Sequence, residues 1–131
     1  MSLARVGLIT TAVLASMASG LSKQLEAPLE SAAFALAGVP VEALSLFGAV
    51  EFVLALLLIF ARPRGFAALL LAGLFAWSAY ILWPLGVGGL FAFNAAMVPL
   101  ILAAAFWSDQ FFARDDTYQG AIPLGFPNNK R

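Results

Sequence analysis

Four apolar runs, each roughly as long as the 17–25 residues needed to cross ~30 Å of hydrocarbon, constrain this chain more than any other feature. They extend over 3–21, 41–61, 66–83 and 90–107, and polar segments separate them. Arg5 opens the first run, Glu42 and Glu51 lie in the second, and Pro99 interrupts the fourth. A soluble domain is about 45–50% apolar and about 25% charged. Here the figures are 63% and 11% over 131 residues, more apolar surface than one small core can hide. The expected fold is therefore all-α, an integral membrane four-helix bundle with spans near 3–24, 41–61, 66–83 and 90–107. These spans make a single membrane domain, 1–107, followed by a polar tail, 108–131, that lacks periodicity and is rich in glycine, proline and asparagine.

Basic residues orient the spans. Arg5, Arg62, Arg64, Arg114, Lys130 and Arg131 fall on one side of a four-span topology, and Lys23 alone falls on the other, near Glu26, Glu30 and Glu42. That bias places both termini in the cytoplasm, in a bacterial-type inner membrane. Trp83 and Trp107 sit at run ends, where amphipathic rings prefer the headgroups, and Trp77 in mid-span reads as a packing or partner-contact residue. Arg62 and Arg64 belong to a tight Arg62–Gly65 hairpin and read as topology determinants. Between the first two spans, 28–38 reads as a short outer-side helix with Pro28 in its first turn and Gly38 past its end. Leu29, Ala33 and Leu36 are expected to share its apolar face, set on the membrane surface or on the bundle. Arg5, the apolar stretch after it and Ser16-Met17-Ala18 also resemble a secretory signal with a cleavage site.

The sequence excludes much chemistry. It contains no cysteine and no histidine, which removes disulfides, thiolate metal sites and axial histidine ligation of haem. Seven basic residues balance seven acidic ones, so no basic face for nucleic acid is expected. No nucleophile–histidine pair or phosphate-cradling glycine loop occurs. Glu51 is the anomaly: it lies about ten residues, roughly 15 Å, from either end of its run. A carboxylate at that depth is expensive in lipid and marks a candidate functional position. Gly48, Glu51 and Ala55 share one helical face, and the small-residue stripe Ala12, Ser16, Gly20 on the first span is its natural partner. Lys23, Glu51, Tyr80 and Asn94 together are the candidate ligand-binding residues, a small polar pocket opening outward, with Glu51 the candidate proton-handling group. The competing view treats them as interhelical glue, worth around 0.6 kcal/mol per contact in measured cases.

The pattern resembles the DoxX and DoxX-like family of four-helix membrane proteins. The resemblance rests on Arg5 and Gly7-Leu8 opening the first span, and Gly20-Leu21-Ser22-Lys23 closing it. It extends through Gly38-Val39-Pro40, Gly48-Ala49-Val50-Glu51 with the leucine-rich stretch after it, the Arg62–Gly65 hairpin, Asn94, and Pro99-Leu100. These elements straddle the possible cleavage site, which favours retention of the first span. The resemblance implies membrane redox at the quinone level, with Lys23 and Glu51 as charged core positions. No residue here can hold a metal or haem strongly, which argues against autonomous catalysis. The leading expectation is a non-catalytic accessory subunit that docks on a larger membrane redox complex among lipids and shapes a quinone or lipid site. Its aromatic surface would comprise Phe91, Phe93, Phe106, Trp107, Phe111 and Phe112. A quinone-linked oxidoreductase component using Glu51 for proton transfer, or a carrier of a small hydrophobic molecule, are the alternatives.

Overall fold

The computed structural model describes residues 3–107. They form α1 (Leu3–Gln24), α2 (Pro28–Leu36), α3 (Val41–Leu57), α4 (Arg64–Leu82) and α5 (Gly88–Leu102). A 3₁₀ turn at Trp83–Leu85 extends α4, and a π turn at Ala103–Trp107 extends α5. No strand occurs among the described residues. The polar tail assigned to 108–131, with Phe111 and Phe112, lies outside them.

Leu3–Gln24, Arg64–Leu85 and Gly88–Phe106 are each long and apolar enough to cross a membrane. The bent pair α2 and α3 makes a fourth if it is counted as one span. Helix α3 is shorter than the sequence suggests: it ends at Leu57, four residues before Ala61. Its hydrogen bonding shows why. The Leu58 amide is shared between the Leu54 and Ala55 carbonyls, and the next two amides, of Ile59 and Phe60, bond only three residues back. The last turn thus tightens and unwinds. Pro63 then caps α4, so Arg64 and Gly65 belong to the helix and the turn occupies 58–63. Arg64 folds back onto α3, its Nε donating to Leu58 O at 2.8 Å and its Nη2 to Ile59 O at 3.2 Å. The guanidinium therefore satisfies carbonyls that the end of α3 leaves orphaned.

The helices pack in the order α1, α3, α4, α5, and α1 also touches α5. Their shared core includes Ala12 and Val13 of α1, Leu54 of α3, Leu71 and Phe75 of α4, and Met97 and Ile101 of α5. Helices α1 and α3 cross at two glycines. A Cβ at Gly48 would lie 2.5 Å from Gly20 O, and one at Gly20 would lie 2.6 Å from Gly48 O. Only glycine allows this backbone approach, and the crossing fixes what lies beside it.

Helix α2 stops through a left-handed cap. Gly38 has φ 85°, its amide bonds Ala35 O, and the Val39 amide bonds Phe34 O. The buried face of α2 is Glu30, Ala33 and Phe34, whereas Leu29 and Leu36 point outward. Of the expected Leu29–Ala33–Leu36 face, Leu29 and Leu36 thus share the exposed side, and Ala33 departs from it by turning inward. The aromatic ring and the one charge of the helix both find partners inward, which outweighs hiding two leucines. A second, smaller core of Ala33, Phe34, Leu44 and Leu82 holds α2 against α3 and α4.

Candidate functional site: a closed charge cluster

The last turn of α1 presents Lys23, with Ser19 one turn earlier on the same face. Three residues past the Gly20–Gly48 crossing, α3 presents Glu51; the first turn of α2 adds Glu30. The close helix approach leaves no room for solvent, and Lys23 and Glu51 are each only 1% exposed. Lys23 Nζ lies 3.0 Å from Glu51 Oε2 and 3.0 Å from Glu30 Oε1. It also donates to Ser19 Oγ at 2.8 Å. Two of the ammonium's three donors are thus hydrogen-bonded, to Ser19 and Glu51, and Glu30 adds a second opposite charge. Ser19 Oγ in turn donates to Glu51 Oε2 at 3.0 Å, and Ser22 Oγ donates to Glu30 Oε2. The Phe34 and Phe75 rings stand 5.7 and 5.8 Å from the same ammonium, within range of cation–π attraction.

Of the four candidate residues, the structure brings together Lys23 and Glu51 and leaves the other two out. Tyr80 is 79% exposed on the outward side of α4. Asn94 is buried, but its Nδ2 donates within its own helix, to Leu90 O at 2.7 Å, and its Oδ1 has no partner. Sequence reasoning overlooked the role of Glu30. Its signal was present: a proline-opened helix that follows α1 after three residues must carry its first turn back toward the end of α1. Ser16 Oγ is buried and also lacks a partner.

The cluster is not an open cavity. An apolar groove lined by Ala49, Val50, Val53 and Leu54 runs along α3 and includes none of the charged groups. Among the described residues, no group of three His, Cys, Asp or Glu side chains could hold a metal ion. Chemically, the arrangement joins α1, α2 and α3 through one cation. The chain matches no protein-family model, no curated protein and no solved structure.

Proposed function

We propose that this protein is a four-helix bundle of a bacterial-type cytoplasmic membrane, with both termini inside. In this reading it serves as a non-catalytic accessory subunit of a larger, quinone-linked redox complex. The enclosure of Lys23 carries the non-catalytic part. The lysine donates to Ser19 and Glu51, is ion-paired with Glu30 and is only 1% exposed, so the only buried ammonium among the described residues is neutralised and closed off from a ligand. Lipid as solvent is supported by outward apolar side chains on three helices, among them Leu14, Leu46, Val53 and Leu69. Phe93 of α5 and Phe106 of the π turn after it add exposed aromatic rings suited to a neighbouring subunit. The redox and quinone assignment rests on the DoxX resemblance. Purification from native membranes in mild detergent tests the subunit role: a stoichiometric membrane companion is expected, and recovery of the chain alone overturns it.

One observation favours a second reading, in which Glu51 relays a proton toward a quinone. The chain Ser22–Glu30–Lys23–Ser19–Glu51 is continuous in polar contacts from the start of α2 to the interior of α3. Under this reading, Glu51→Gln lowers quinone-coupled turnover of the assembled complex without loss of assembly. Unchanged turnover in an assembled variant refutes it.

A further inference from the structure

Helix α2 is amphipathic in the wrong sense for a helix bathed in water. A helix lying on a protein at a water boundary turns its charge outward and its apolar stripe inward. Here the one charged residue of the helix, Glu30, is turned inward to Lys23 and Ser22. The outward side presents Leu29 at 68% and Leu36 at 77% exposure, with Ala32 and Ala35 also exposed and no charge among them. Positions 29, 32 and 36 follow the helical repeat, so Leu29, Ala32 and Leu36 form one stripe.

The direction of the helix fits the same picture. The axes of α2 and α3 differ by 118°. If α3 runs along the membrane normal, α2 lies 118 − 90 = 28° from the membrane plane. Its start, where Glu30 meets Lys23, is then its deeper end. Both spans that α2 joins also expose apolar residues toward the ends that meet it, Leu21 of α1 and Val41 and Leu46 of α3.

We propose that α2 is embedded in the outer leaflet, with its Leu29–Ala32–Leu36 stripe against lipid acyl chains and its Glu30 side latched to Lys23. This rests on the membrane placement proposed above. The uncharged stripe and the exposed apolar residues on the adjoining span ends favour lipid over a protein partner, whose contact would be expected to use some of the outer-side charges. Those charges, Glu26 and Glu42, lie off the helix and are exposed. The latch explains how so short a helix keeps one orientation while both of its sides are apolar.

Because the chain has no cysteine, single nitroxide labels test the depth of each position directly. Purified full-length protein in phosphatidylethanolamine–phosphatidylglycerol vesicles would carry Leu29→Cys, Leu36→Cys, Glu42→Cys or Leu69→Cys. Relaxation by oxygen, which concentrates in lipid, is compared with relaxation by a water-soluble nickel chelate. Leu69, outward on α4, calibrates the membrane reading, and Glu42, exposed past the shallower end of α2, calibrates the aqueous side. Labels at Leu29 and Leu36 are expected to show an oxygen-to-nickel ratio on the Leu69 side of the midpoint between these two controls. If both follow Glu42 while Leu69 favours oxygen, the α2 proposal is overturned and the membrane placement stands. A nickel-dominated signal at Leu69 itself overturns the membrane placement. Protection of Leu29 and Leu36 from both reagents, with Leu69 oxygen-accessible, shows that a second copy covers the stripe and overturns lipid contact.

Discussion

At the scale of single residues, the cluster stabilises by mutual satisfaction, so removing its cation should hurt most. Lys23→Met leaves Glu30 and Glu51 buried without an opposite charge, a change that typically costs about 3–5 kcal/mol. Glu51→Gln is milder, because the amide oxygen still accepts from Ser19 and Lys23 keeps Glu30. Thermal unfolding in detergent should rank wild type above Glu51→Gln and Glu51→Gln above Lys23→Met; the reverse order would contradict a lysine-centred lock. The glycines give a second contrast. Gly48→Ala drives a Cβ to within 2.5 Å of Gly20 O and 2.8 Å of Lys23 Cβ, forcing α1 and α3 apart. An overpacking penalty of about 1–3 kcal/mol is expected. Gly73→Ala meets nothing within 4 Å and should stabilise by a fraction of the ~1 kcal/mol helix-propensity difference. Equal unfolding midpoints for the two variants would rule out a glycine-dependent crossing. Lys23 and Glu51 were legible in the sequence because a lone charge in or beside an apolar run has few places to go. Tyr80 was not, because α4 is apolar on nearly every side and gives no stripe from which to read its buried face. That face proves to be Ala68, Leu71, Phe75, Ser78 and Leu82, and Tyr80 falls off it.

At the scale of elements, the ends decide more than the interiors. Helix α1 closes as α2 does, with a left-handed residue after its last turn: the Ala27 amide bonds Ser22 O and the Glu26 amide bonds Lys23 O. The left-handed residue here is Glu26, at φ 54°, where α2 uses Gly38. A side chain in that region costs roughly 1–2 kcal/mol, partly recovered because glycine loses more chain entropy on folding. Glu26→Gly should therefore raise the unfolding midpoint, whereas Gly38→Ala should lower it. Urea or dodecyl sulfate titration of the two variants checks the signs, and a shift of both in one direction would contradict the cap geometry. Gly38 announced its turn in the sequence; Glu26 did not, since nothing in its chemistry demands a positive φ. The end of α3 was hidden for a different reason. Leu58, Ile59 and Phe60 are as apolar as the helix before them, so hydropathy runs on to Ala61 while the backbone has already tightened into turns. Arg64 was read as a topology charge alone because its capping role depends on where that unwinding occurs.

At the scale of the whole molecule, the open question is whether α3 crosses the membrane or turns back. Its 17 residues span about 26 Å, short of the ~30 Å hydrocarbon thickness. The packing argues for crossing. From the Gly20–Gly48 contact, α3 runs antiparallel to α1, and Leu54 and Leu58 share a core with Ala12 and Val13, more than a turn farther along α1. Wherever α1 reaches, α3 follows it most of the way, and the apolar turn at 58–60 continues in the same sense. A deficit of a few ångströms is accommodated by local thinning at fractions of a kcal/mol per Å. Turning back would instead place the 58–63 turn, with Arg62, on the side of Lys23, against the charge bias on which the proposed orientation rests. The two arrangements predict opposite labelling. If α3 crosses, a membrane-impermeant maleimide reaches Gly89→Cys in intact cells and reaches Ala61→Cys only after permeabilisation. If α2 and α3 form a re-entrant pair, the two positions exchange sides, with Ala61→Cys labelled from outside and Gly89→Cys protected. Both sites tolerate the change, since Ala61 is exposed in the turn and a Cβ at Gly89 meets nothing within 4 Å. The expected result is the first pattern, because only four crossings keep Arg5 and Arg62 on one side and Lys23 on the other.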